Sequence, residues 1–263
     1  MFSVEFLGLP GAGKSHIRDC LISRLNVGRK DKYITAEEAF LQVAKVKIDR
    51  VYRLLLKTLP NDLGLKVASK LTNRSIMQFE AQNVFLANWG KSFEAYLSSP
   101  VFDILTVNDR EIGIADYLYA GAFFECINGA ANENRVVFFD EGFLQKSFMF
   151  IVPTTTQVEV EPDLIRYLDV IPISDIVVHV RTDIHTCHER MLTRPRGVIR
   201  RLKGSSEEDI AHFLKISDRH IQKVVDWIKG RKDTILIEID NDDEPEDVIQ
   251  KLEYEISAVL RNQ

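Results

Sequence analysis

Gly8-Leu9-Pro10-Gly11-Ala12-Gly13-Lys14-Ser15 matches G-x-x-x-x-G-K-[ST] at every fixed position. A chance match is expected in roughly one chain in a hundred of this length at average residue usage. The flanks add weight. Phe2–Leu7 reads as a short apolar strand and His16–Leu25 as a helix, the context in which such a loop cradles phosphate. Glycines let backbone N–H groups approach an anion without a Cβ in the way. Those amides and the following helix N-terminus then point at phosphate oxygens. Gly8, Pro10, Gly11, Ala12, Gly13, Lys14, Ser15 and His16 are the candidate nucleotide-contacting residues. Lys14 suits the β- and γ-phosphates and the Ser15 hydroxyl suits Mg²⁺.

Outward from this loop, apolar runs recur at Ser3–Leu7, Lys32–Thr35, Arg135–Asp140, Asp175–Arg181 and Thr234–Asp240. Near-continuous apolar strands separated by helical patterns predict a doubly wound α/β fold with a five-stranded parallel sheet. The second and third strands are far apart. Between them, helices are expected over Ala36–Leu59, Ser75–Leu97 and Ile114–Ala130, a helical insertion spanning 36–134. It serves either as a cover that binds an acceptor over the strand ends or as scaffold packed on the sheet. The last segment, Pro245–Leu260, has the pattern of a surface helix with an acidic start.

Arg135–Asp140 ends in Asp140-Glu141-Gly142. A carboxylate at the C-terminal tip of a parallel strand lies where such sheets bind ligands, so Asp140 is the expected Mg²⁺ partner beside Ser15. Glu141 is a candidate base or water-orienting group. Further on, seven basic residues from Arg181 to Lys203 face only Asp183 and Glu189. This local excess in a chain of net charge −5 predicts an arginine-rich lid over 181–204. Arg190 and Arg194, spaced i, i+4, would share a helical face and meet phosphate oxygens on closure. His185, Cys187 and His188 sit nearby, but no second cluster completes a zinc set, and surface or capping roles are expected.

The bulk numbers fit one domain over 1–263: 263 residues, 45% hydrophobic and 28% charged. The net acidity points to neither nucleic acid nor a membrane surface as partner. Three scattered cysteines suit a reducing, cytoplasmic setting. No apolar stretch is long enough to span a bilayer, and the chain opens on a core strand rather than a leader. The sequence leaves a homodimer open.

With these residues in place, the chain resembles the P-loop nucleoside/nucleotide kinase group, closest in pattern to thymidylate-kinase-like proteins. The resemblance rests on Gly8–Ser15, on Asp140-Glu141-Gly142, on the run Leu168–Val178, on Glu189-Arg190 with Arg194, and on Ile239-Asp240 followed by Pro245-Glu246-Asp247-Val248. It implies strand order 2-3-1-4-5 and transfer of the ATP γ-phosphoryl group to a small acceptor, a nucleoside or nucleotide among the candidates. It also implies lid arginines at Arg190 and Arg194, with Asn241 near the adenine. ATP and Mg²⁺ are the implied co-substrate and cofactor. These kinases usually carry Arg directly after the strand-tip acid, where this chain has Glu141, and the middle of the chain shows none of their motifs. Glu37 and Glu38 stand where some of them keep a catalytic base, though an acidic first helical turn explains the pair equally well. A competing reading is an ATP-hydrolysing accessory or switch protein without an acceptor, favoured by Glu141 beside Asp140. The absence of N-K-x-D argues against a GTP switch.

Overall fold

In the computed structural model, the described residues are 2–28, 32–40, 74–128, 135–150, 161–194, 197–199, 202–242 and 245–261. Five strands form one parallel sheet: β1 (Phe2–Leu7), β2 (Tyr33–Thr35), β3 (Val136–Phe139), β4 (Ile176–Arg181) and β5 (Ile235–Asp240). Their order is β2-β3-β1-β4-β5, the 2-3-1-4-5 arrangement that the resemblance implied. Each strand lies within a residue or two of its expected span, because apolar runs and helix-capping signals bound them sharply.

Central β1 is almost wholly buried. On one sheet face Phe6 and Tyr33 pack their rings on Phe138. On the other, Val137 and Phe139 pack with Ile34 and Ile127. Helix α1 (Lys14–Leu25) follows the glycine loop. The described part of the insertion holds α2 (Arg74–Leu97), α3 (Pro100–Ile104) and α4 (Val107–Asn128). Ser99 caps α3 by accepting from the Val101 N–H, with Pro100 in the first turn, so α2 stops where the sequence put its end. Trp89 interrupts α2 with non-helical backbone angles. Helix α4 begins earlier than the expected Ile114. Of Ala36–Leu59, residues 36–40 are helical and 41–59 lie outside the described residues.

Helices α2 and α4 join through aromatic rings. Phe85 stacks on Phe143 at 5.5 Å, and Tyr117 lies edge-on to Phe143 at 5.7 Å and to Tyr167 at 6.1 Å. The Tyr117 hydroxyl donates to Ser92 Oγ at 2.7 Å. Phe143 belongs to α5 (Phe143–Lys146), the short helix just beyond the acidic strand tip. The insertion is therefore fastened to the segment that follows Asp140 and Glu141. The remaining helices are α6 (Glu161–Leu168), α7 (Ile184–Thr193), α8 (Glu207–Lys229) and α9 (Pro245–Arg261). No helix among the described residues is long and apolar enough to cross a membrane.

Candidate active site

The glycine loop bends where only glycine is comfortable: Gly11 and Gly13 have φ of 91° and 86°. Gly13 is also the N-cap of α1, and no side chain caps that helix end. The first-turn amides are thus left to an external partner. Three neighbours fix the loop from below. Asn241 Nδ2 donates to Ala12 O at 2.8 Å, and Thr182 Oγ1 donates to the same carbonyl at 3.2 Å. The Cys187 carbonyl lies where a Cβ on Gly11 would fall, so the start of α7 packs directly on the loop. Burial pushes the Cys187 thiol up to about 11, which makes it an inert packing group.

Lys14 differs from the exposed side chain that a free loop lysine leads one to expect. It is half-buried and curls back, with Nζ donating to Gly8 O at 2.8 Å and Leu9 O at 3.1 Å. Burial holds its ammonium below the usual lysine range, while the charges of Glu141 and Asp140 pull the other way. Both strand-tip acids therefore face the loop lysine.

Ser15 and Asp140 meet directly. Ser15 Oγ donates to Asp140 Oδ2 at 2.7 Å across 125 positions of chain. Asp140 Oδ1 is buried with no hydrogen-bond partner among the described residues. A hydroxyl and a carboxylate that keeps one oxygen unsatisfied form an all-oxygen donor set, which suits a hard cation such as Mg²⁺. Arg18, one turn into α1, lies 3.8 Å from Asp140 Oδ2 and 3.9 Å from Glu37. The sequence reading passed over Arg18, although its i, i+3 spacing from Ser15 puts both on one helix face.

Glu141 is exposed, and its Oε2 accepts from Lys146 Nζ at 3.3 Å. It stands at the rim of a cleft lined by Glu5, Phe123, Phe124, Phe139 and Phe143. Glu38 has a structural task. Its Oε2 accepts from Thr35 N at 2.9 Å while its own N–H donates to Thr35 Oγ1 at 3.1 Å, a reciprocal capping box.

The arginines part company. Arg190 reaches the loop already, with Nη1 3.5 Å from Gly11 O. Helix α7 ends at Thr193, so Arg194 is its extended C-cap rather than a member of the same helical face. Its Nε donates to the Gly197 carbonyl, which turns the chain at φ 66°. Arg194 remains near enough to Lys14 for their charges to repel. Arg196, Arg200 and Arg201 lie outside the described residues. Among the described residues no cluster of His, Cys, Asp and Glu could hold a metal on its own. His185 instead sits 3.5 Å from Glu189. His16 is exposed, with its ring about 3.8 Å from Cys20 Sγ.

No family model matches the chain, and no curated protein matches it. Solved structures do resemble it. One is a deoxyadenosine kinase from M. mycoides with bound dATP, 13% identical, TM-score 0.48, covering 98% of this chain and 100% of that chain. Another is a deoxyadenosine kinase from M. mycoides with products dCMP and a flexible dCDP bound, 14% identical, TM-score 0.43, with the same coverage.

Proposed function

We propose that the protein is an ATP-dependent phosphotransferase of the P-loop kinase type, acting on a small acceptor of the nucleoside or nucleotide class. The observation that carries this reading is the junction of Ser15 with Asp140 at 2.7 Å beneath an uncapped helix N-terminus, with Lys14 and Arg190 both donating to carbonyls of the glycine loop. In this reading the loop amides from Gly8 to Ser15 bind the phosphates of ATP, and Lys14 swings from the carbonyls of Gly8 and Leu9 onto the β- and γ-oxygens. Ser15 and Asp140 would hold Mg²⁺, which would supply positive charge against the phosphates. Arg190 sits where it can neutralise charge that develops as the phosphoryl group moves, and Arg194 joins it on closure of 181–204. Glu141, at the rim of a phenylalanine-lined cleft, takes the proton of the acceptor hydroxyl or phosphate. Asn241 borders the nucleotide beside Gly13, and the insertion 36–134 supplies the acceptor side.

A second reading, hydrolysis without an acceptor, draws on the exposure of Glu141, whose carboxylate is open to water beside its ion pair with Lys146. One experiment separates the two. Isotope-labelled ATP and Mg²⁺ are offered with a panel of nucleosides, nucleotides, sugars and other small metabolites, and products are read by mass spectrometry. Label on an acceptor, with turnover that depends on it, is the expected result. Equally fast ATP loss with no acceptor present would overturn the kinase assignment in favour of the hydrolase.

A further inference from the structure

Glu5 is a carboxylate in the middle of the central strand, only 1% exposed. Such a group costs stability unless it is matched by donors. Its donors come from the turn after the acidic strand tip. The Gln145 N–H donates to Glu5 Oε1 at 3.0 Å, and the amides of Leu144 and Gly142 also point at the carboxylate. The N-cap of α5 is Gly142, which has no side chain to cap the helix, so Glu5 supplies the cap from a different strand. Gly142 is glycine for space. A Cβ there would lie 2.3–2.7 Å from the Glu5 carboxyl atoms, while its φ of −87° is open to any residue. The link continues on the other side of Gln145. The Gly8 N–H, at the first residue of the phosphate loop, donates to Gln145 Oε1 at 3.2 Å within the core. Gly8 O in turn accepts from Lys14 Nζ.

The geometry assigns Glu5 and Gln145 as positioning residues that fix the phosphate loop at Gly8 against the acidic strand tip at Asp140. The assignment rests on the nucleotide-binding reading above and deepens it. Neither side chain touches nucleotide. Glu5 sets where α5 starts, and hence where Asp140 stands two residues before Gly142. Gln145 passes that position to the loop. Other titratable groups around Glu5 are Lys146 on α5, Tyr167 on α6 and Glu141 at the strand tip. Lys146 is engaged with Glu141, and the Tyr167 hydroxyl donates to Phe143 O at 2.9 Å, so the backbone amides are the donors that hold Glu5.

The test is calorimetric binding of a non-hydrolysable ATP analogue to the whole protein, with and without Mg²⁺, for the wild type, Gln145→Met and Glu5→Gln. Wild-type binding checks the underlying reading first, and its absence would sink that reading rather than this one. With wild-type binding in place, Gln145→Met should weaken the analogue by about tenfold, because it leaves a loop amide unpaired. The loss should be the same with and without metal. In turnover it should appear as a raised KM for ATP with kcat changed by no more than about threefold. Glu5→Gln keeps an acceptor oxygen for the Gln145 amide and should bind within about twofold of wild type. A folded Gln145→Met with wild-type affinity overturns the proposal, as does a tenfold loss in Glu5→Gln equal to that of Gln145→Met. Melting curves on the same samples identify any variant that has lost its fold, and the remaining one then decides.

Discussion

The phosphate loop and the helical insertion are built by opposite means. The loop is held by hydrogen bonds to main-chain atoms, from Asn241 and Thr182 to Ala12, from Lys14 to Gly8 and Leu9, and from Gly8 to Gln145. The insertion is held by rings, with Phe85, Tyr96, Tyr117, Phe143 and Tyr167 in one aromatic nest. Main-chain hydrogen bonds fix positions to a fraction of an ångström and tolerate little variation in the residues that make them. Ring packing supplies stability over a broad area and tolerates many sequences of similar volume. The first kind of construction leaves a motif, and the second leaves only composition and periodicity.

The largest expected effect separates the two regions cleanly. Lys14→Ala should lower phosphoryl transfer by about 10³-fold or more, while the melting temperature moves by no more than a few degrees. Its head group is half-buried over carbonyls that water can take over. A comparable fall in stability would show the loop to be structural after all. Phe85→Ala should do the reverse. Phe85 is fully buried, and Gly121 is held against its ring. Its loss should destabilise the fold by about 3 kcal/mol or more in denaturant unfolding. The surviving folded fraction should keep its affinity for nucleotide. Lost affinity in that fraction would merge the two regions into one.

Glu5 sits between the regions, and pH should expose it. Burial raises its pKa from 4.5 to about 7. The folded state then holds this proton more tightly than the unfolded state. The stability it contributes is fully present below about pH 4.5 and is lost as pH rises through about 7. A shift of this size corresponds to at most about 3 kcal/mol. Wild-type stability should decline over that window more steeply than that of Glu5→Gln, as followed by urea unfolding at a series of pH values. Parallel profiles would mean that Glu5 keeps the same ionisation in both states.

The smallest effect concerns the two arginines. Arg190→Ala should reduce kcat by about 10²-fold with a lesser change in KM for ATP. Arg194→Ala should cost less, because its guanidinium is already committed to the Gly197 carbonyl. Equal losses would mean that Arg194 leaves that carbonyl when nucleotide binds. No loss in either would leave Arg181–Lys203 a plain basic surface.

These contrasts also explain what could be read in advance. The five strands were legible, since burial on both faces forces apolar runs, and the loop needs glycine at Gly11 and Gly13; their order was implied only by the resemblance to the P-loop kinase group. Ser15 and Asp140 could be paired because both follow the C-terminal end of a parallel strand, β1 for Ser15 and β3 for Asp140. Arg190 and Arg194 were seen as one face because spacing says nothing of where a helix stops, and α7 stops at Thr193. Glu5 was hidden inside a run read for its apolar character. The signal was there, an acid in a strand whose neighbours on both sides are buried, but its partner amides belong to residues 140 positions away. Gln145 carries no motif at all, since its contribution is a single oxygen aimed at one amide.

The reach of Asn241 to Ala12 spans 229 positions of chain. Ribosomes add roughly 5–20 residues per second, so about 10–45 seconds separate the making of the loop from the making of the side chain beneath it. Throughout that interval the glycine loop exists without β5 or its following turn, so the brace that Asn241 gives the Ala12 carbonyl arrives long after the loop itself has been made.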